Sequence, residues 1–343
     1  MNSNPLSKTI KITSVIVLIL LLVLFIIFSF RILLLILGGV LIALIFNGIS
    51  NRIKELIPKL KKSIITSIVI TISFISISFL LYLLYPRVAE QILDLKIELP
   101  EAINQVKEKV KSNEALSFIA DTINQTTKNK DFTKNIKFFF NSIFGFFGDF
   151  YIIIILGLFF SMEPSVYVKG MTVLFPVEKR STVSKHISKI GTILQRWLVG
   201  KILSMLIVGV FTGIGLYLLK IPLALSLAII ATLSAFIPNI GPIIALIPAL
   251  LIAFVKGEEY VLYVFVLYTG IQILESNIIT PLIQREAISF PMALILIAQI
   301  VLGIFTGYLG LILATPVMAI LLFLIKEIYI KGYLEEKEKA LID

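Results

Sequence analysis

The sequence predicts an all-α, polytopic membrane protein of about eight membrane segments, and three observations carry that prediction. Hydrophobic residues make up 58% of the 343-residue chain and charged residues 15%, whereas soluble domains run near about 45–50% and about 25%. The apolar excess comes in blocks. Ile12 to Phe30 holds nineteen residues without a charge, and about twenty apolar residues span a bilayer core. The third observation bears on function: two later apolar runs are each broken mid-way by proline or glycine.

Composition also excludes whole classes of chemistry. With no cysteine there is no disulfide framework, thiolate metal site or cysteine nucleophile. A single histidine, His186, leaves little room for a histidine metal site or a catalytic triad, and it sits among basic residues as a surface group. Neither an H-E-x-x-H pattern nor a phosphate-binding loop occurs, since Gly200-Lys201 lacks the earlier glycine and the following Ser or Thr. Asp149 has no second intramembrane aspartate to face, as a protease dyad would require. The chain therefore reads as a non-enzyme with no metal and no cofactor beyond a coupling proton or sodium ion. The net charge of +10 would suggest nucleic acid in a soluble protein; here it records orientation in a bilayer.

Taken in order, the apolar runs are Ile12 to Phe30, Ile32 to Phe46, Ile64 to Tyr85, Ile143 to Met162 and Ile202 to Leu219, then Leu223 to Val255, Tyr260 to Thr280 and Met292 to Ile325. Lys8 and Lys11 precede the first run as in a signal peptide, but the run is too long and lacks a small-residue cleavage site, so it reads as a retained helix. Lys and Arg concentrate in short cytoplasmic loops. Asn47 to Ser63 carries Arg52, Lys54, Lys59, Lys61 and Lys62 against Glu55 alone, and Glu163 to Lys201 is similarly basic. Both are expected inside, with the N- and C-termini, in an inner membrane.

Between these basic segments, Pro86 to Asn141 has nine basic and eight acidic residues, a balance that fits an outer domain. Val88, Ile92, Leu95, Leu99, Ile103, Val106 and Val110 recur at helical spacing there, with a kink expected at Pro100. Such a stripe must rest on a neighbour, a second subunit or lipid. The run Phe138 to Phe140 with Phe144, Phe146 and Phe147 fits an aromatic interface belt. On the inner side Val183, Ile187, Ile190, Leu194 and Trp197 form a stripe beside Lys185, Lys189 and Arg196, which suits a headgroup-layer helix. The expected division is 1–85 scaffold helices, 86–141 outer helical domain, 142–201 fourth helix and interfacial helix, 202–326 transport core and 327–343 charged tail.

The two broken runs span thirty-three and thirty-four residues, too long for one straight crossing. Their breaks are Pro238-Asn239-Ile240-Gly241-Pro242 and Gly303 to Gly310, with Gly307 between. Such backbone is tolerated at membrane depth only where protein or water satisfies it. Slid by 69 positions the runs match at Pro222/Pro291, Ala224/Ala293, Leu225/Leu294, Leu227/Leu296, Leu233/Leu302, Phe236/Phe305, Gly241/Gly310, Ile243/Ile312 and Ala245/Ala314. Two re-entrant hairpins entered from opposite sides would form an inverted repeat, the arrangement that places transporter sites near the midplane. Two long broken spans are the alternative. Arg285 favours the hairpins by its charge, and Lys256 argues the other way.

The segments Phe236-Ile237-Pro238-Asn239-Ile240-Gly241-Pro242, Ile247-Pro248, Glu275-Ser276-Asn277, Pro281, Pro291, Gly303 to Gly310 and Leu313-Ala314-Thr315-Pro316 together resemble the autoinducer-2 exporter family of membrane permeases. The order of segments fits nearly the whole chain. The resemblance implies a multi-helix, homo-oligomeric permease, with some members exporting autoinducer-2 and others described as sodium or lithium/proton antiporters. One departure is Lys201, where the family commonly has glutamine; it bears on local ion preference or simply snorkels to the headgroups.

Glu275 is the first candidate site residue, a carboxylate in the otherwise apolar stretch Val261 to Ile279, where charge is costly and functional by default. Its alternative is a structural pair with Arg196, Lys201 or Lys256. Asn239 and Gly241, with Pro238 and Pro242 as the hairpin break, can offer an amide and free backbone groups to a polar ligand, or simply make a tight turn. Gln299, Thr306 and Tyr308 on the second run, with Asn277, can bind a diol or hydrated ion, or bond between helices; Gly303, Gly307 and Gly310 are its break. Gly209 and Gly213 have the spacing of close helix packing, and Asp149 reads as solvated at the outer end of its helix. The expected function is alternating-access export of a small hydroxylated signalling molecule. Sodium or lithium/proton antiport is the alternative, and a non-transporting membrane scaffold the alternative of another class. Expected partners are a small polar solute or monovalent cation, the lipid bilayer and further copies of the chain, with no nucleic acid.

Overall fold

The computed structural model describes residues 5–112, 148–279, 281 and 292–334, and among these the regular structure is helical. Helix α1 runs from Pro5–Leu56 and α2 from Lys62–Ser112. The two apolar runs expected as separate spans thus lie on one unbroken helix, about 78 Å long at about 1.5 Å per residue. Arg31 separates them by charge, but no proline or glycine beside it stops the helical hydrogen bonding. Helix α2 likewise passes Pro86 and Pro100 without ending, so the amphipathic stretch starts as a direct extension of a membrane helix. Most of the expected outer domain, including the phenylalanine belt, lies outside the described residues.

Helix α3, Gly148–Met162, turns by 87° into α4, Pro164–Val173. Pro164 stands in the first turn, where a missing N–H costs nothing. A short 3-10 turn then leads into α5, Arg180–Leu218. Next come α6, Ala224–Ser234; α7, Gly241–Lys256; and α8, Glu258–Leu274, extended by a π-helical turn, Glu275–Ile279. Helices α9, Met292–Thr306, and α10, Tyr308–Leu324, complete the bundle, α10 continuing into a π-helical segment, Ile325–Leu334. Among the described residues five helices are long and apolar enough to cross a membrane, or six if the bent pair counts as one span. Eight runs become fewer spans because α1 absorbs two of them and the first broken run contributes only α6 and α7, each too short to cross alone, whereas α10 with its extension is one of the five.

Helix α5 ties two cores together. Toward its N-terminus, Leu194, Trp197 and Leu198 pack with Leu34, Leu35 and Leu41 of α1 and with Leu309, Leu313 and Ala319 of α10. Toward its C-terminus, Val208 and Leu216 pack with Leu227, Ala249, Ile252 and Val264 from α6, α7 and α8. The stripe ending at Trp197, expected in the headgroup layer, therefore buries Leu194 and Trp197 in protein. Apolar residues at helical spacing look alike from sequence whether they face lipid or a neighbouring helix. A boundary drawn at 201/202 also falls inside α5, so this helix belongs to both halves. Outside these cores large apolar residues stay exposed, as Ile72, Ile75 and Phe79 do on α2, which suits a lipid-facing surface.

Both broken runs fold back on themselves. Lys256 Nζ, at the end of the first run, donates to the carbonyls of Leu219 and Lys220 at 2.6 and 2.8 Å, so the run returns to the place where it began. This also disposes of the sidedness argument from Lys256, whose charge is engaged by the orphan carbonyls ending α5. At the tip Asn239 adopts φ of 64°, a left-handed conformation that asparagine tolerates. A Cβ on Gly241 would lie 1.9 Å from the Ser234 carbonyl oxygen, and one on Gly310 would lie 2.2 Å from that of Leu302. The glycines matched by the 69-residue offset thus make the same close backbone approach, one in each hairpin. Helices α9 and α10 pack along each other, joined through Gly307 alone at φ of 66°.

Candidate functional site

Glu275 is 6% exposed, and Lys201, 8% exposed, is the cation that reaches it. Lys201 Nζ lies 3.5 Å from Glu275 Oε1, and the Ser204 hydroxyl donates to the same oxygen at 2.5 Å. Lys201 and Ser204 are three residues apart on α5, so one face of that helix presents both. Glu275 opens the π-helical turn that ends α8, and such widened turns are frequent at functional sites. The sequence offered Lys201 as one of three partners. Ser204 it did not single out, although the three-residue spacing from Lys201 was the available signal.

The hairpins meet at a second polar contact. Gln299 on α9, fully buried, donates from Nε2 to the Pro238 carbonyl at 3.0 Å. That carbonyl belongs to the tip of the first hairpin, freed from helical bonding by the break around Asn239. Gln299 Oε1 is buried without a hydrogen-bond partner among the described residues. Asn239 itself is exposed. Thr306 sits beside the second turn, but its hydroxyl donates to Leu302 of its own helix at 2.8 Å, and Asn277 Nδ2 likewise donates to Ile273 at 3.1 Å. The structure therefore joins Pro238 to Gln299 directly, while Thr306 and Asn277 spend their donors locally.

Tyr308 belongs to a third cluster. Its hydroxyl donates to Asp149 Oδ2, which also accepts from Arg31 Nη2 at 2.8 Å. Asp149 is 7% exposed, so the solvated position expected of it is not observed. Its helix end turns toward α1 and α10, and a buried carboxylate needs partners that a helix-end location alone could not reveal. The cluster fastens α3 and α1 to the first residue of α10, next to the Gly307 turn.

A cavity of about 160 Å³ opens between α5, α6, α7 and α8. Thr212, Tyr268, Thr269 and Gln272 supply its polar lining, and Pro242 from the first hairpin break borders it. Gln272 is one turn before Glu275 on α8, so the cavity and the buried ion pair share a helix. No group of three or more His, Cys, Asp or Glu positioned to hold a metal occurs among the described residues.

The sequence itself resembles known proteins over most of its length. A model described as AI-2E family transporter matches residues 15–330. The chain belongs to that family. It is 25% identical over 298 residues to a Bacillus subtilis (strain 168) protein named "Putative transport protein YueF", covering 82% of this chain and 81% of that protein. A second from the same organism, "Putative transport protein YrrI", is 32% identical over 166 residues, and this match covers 48% of the chain and 47% of that protein. One from Escherichia coli (strain K12), "Putative transport protein YhhT", is 23% identical over 136 residues, 39% of the chain and 36% of that protein. With YrrI the match thus spans about half the length of the relative. The expected fold and family both hold: this is a multi-pass, all-helical membrane protein of a transporter family.

Proposed function

We propose that the protein is a secondary transporter of the inner membrane that exports a small hydroxylated solute of the autoinducer-2 kind by alternating access. Its termini lie in the cytoplasm and several copies assemble. The observation that carries this reading is the contact between the hairpins, Gln299 Nε2 to the Pro238 carbonyl. Alternating access requires two bodies that close on each other through an interaction able to reopen. A single amide-to-carbonyl bond, worth about 0.5–1.5 kcal/mol net, closes such a gate without locking it. Once parted, Gln299 and Pro238 offer a donor and two acceptors, a set that matches hydroxyls able to donate and accept. Asn239 follows Pro238 at the same tip, Thr306 lies two turns further along α9, and Glu275 with its partners supplies a buried ion pair between α8 and α5.

The antiport reading rests on Glu275 as an ion carrier, and Lys201 and Ser204 already engage one oxygen of that carboxylate. Flux into proteoliposomes separates the readings. Wild-type protein is expected to exchange autoinducer-2, and Gln299→Leu to lose at least about tenfold of that rate, equivalent to about 1.4 kcal/mol, while melting as a folded protein. Proton movement driven by sodium or lithium with no solute exchange would favour antiport. Folded protein that moves neither would leave the scaffold reading.

A further inference from the structure

We infer that Lys201 is a tethered cation occupying the position a coupling ion would take beside Glu275, so that this chain's centre does not bind sodium or lithium. Glu275 Oε1 and Ser204 Oγ, a carboxylate and a hydroxyl, are the kind of oxygen pair that holds a small hard cation. The Ser204 hydroxyl donates to Glu275 Oε1 at 2.5 Å, so the two oxygens are neighbours that a cation could draw on once the proton turns away, and the Lys201 ammonium stands 3.5 Å from the same carboxylate oxygen. The side chains of Lys201 and Glu275 are only 10% and 9% exposed, so water screens them little and each charge depends on the other.

A free monovalent cation would have to enter beside an ammonium in a site that is already neutral. Like charges at such separations repel strongly where water is excluded. A sodium ion can leave with the transport cycle, whereas the lysine is covalently part of α5 and stays tethered at the site. The inference deepens the transport reading above, on which its consequence for coupling rests: solute would move without a sodium or lithium requirement. Its binding half stands independently of any flux.

The test is a melting measurement on the full-length protein in detergent, in sodium, lithium or choline chloride at equal ionic strength. Wild type is expected to melt at the same temperature in all three salts. Lys201→Gln is expected to gain a rise in Tm specific to sodium or lithium, because a cation that binds only the folded state stabilises it by mass action. Lys201→Gln combined with Glu275→Gln should lose that rise, and Lys201→Arg should behave as wild type. Lys201→Asn replaces Lys201→Gln if the latter does not fold.

A sodium- or lithium-specific rise in wild type that Glu275→Gln abolishes would overturn the inference. So would a folded Lys201→Gln or Lys201→Asn with no cation-specific rise. Solute exchange by wild-type proteoliposomes in choline alone would extend the result to coupling. An absence of exchange in every salt would sink the transport reading while leaving the melting result to judge the tethered cation.

Discussion

Two glycines and one buried pair carry most of the architecture at the residue scale. Gly241 and Gly310 let the chain reverse, because a Cβ at either would collide with a backbone carbonyl that cannot step aside. Alanine at either position is expected to destabilise the protein by about 1–3 kcal/mol through overpacking, read as a lower Tm in detergent, with solute exchange lost alongside. Gly213→Ala is the control, since its added methyl meets only the Ala228 Cβ at 3.2 Å, a contact a small shift relieves. If Gly241→Ala and Gly310→Ala melt like Gly213→Ala, the turns are looser than their geometry requires. Glu275 and both turn glycines drew attention in the sequence through charge in an apolar run and through the repeat, and the structure buries the first and places the other two in close turns. Ser204 and the burial of Asp149 were not, because a hydroxyl in a membrane helix and a carboxylate near a helix end are each compatible with many environments.

Among the elements, the first hairpin depends on a helix far from it in sequence. Helix α6 starts after Leu223, whose φ of 57° is unfavourable for a bulky side chain, and no side chain of its own caps its N-terminus. Gln91 on α2 does so instead, its Oε1 accepting from the Ser226 backbone N–H at 3.0 Å. This gives the extended part of α2 a purpose that its amphipathic pattern foretold only as a need for some neighbour. Gln91→Ala should cost about 1 kcal/mol, the usual value of an N-cap. Gln91→Glu should retain or improve stability, since a negative acceptor suits a helix N-terminus. Equal melting of wild type and Gln91→Ala would mean that packing of α2 against α6 and α7, without the hydrogen bond, holds the hairpin.

At the scale of the whole molecule, α5 joins a core built with α1 and α10 to one built with α6, α7 and α8. The Arg31–Asp149–Tyr308 cluster and the Gln299–Pro238 bond bring both hairpins into contact with this frame or with each other. Fold-back of the first run predicts that its two ends share one side of the membrane. Because the chain has no cysteine, single-cysteine variants at Lys220 and Glu258 report this without background. Both should react with a membrane-impermeant maleimide added from the same side of sealed vesicles. Reaction from opposite sides would mean that the run crosses the bilayer.

By itself the sequence determined the class of this protein, the apolar stretches its membrane helices are drawn from, the two breaks and the carboxylate worth attention. These follow from local physics: apolar length against bilayer thickness, missing backbone donors at proline, and the cost of charge in an apolar run. It favoured the hairpins and kept the broken spans as an alternative, because hydropathy records depth and not direction. Tertiary structure showed both runs folding back, the first with Lys256 returning to the carbonyls of Leu219 and Lys220 and the second about Gly307. It also chose Lys201 from three available cations, buried Trp197 and Asp149 in protein, and brought Gln299 to Pro238. Each of these depends on which distant segments meet, and one-dimensional patterns carry that information only weakly.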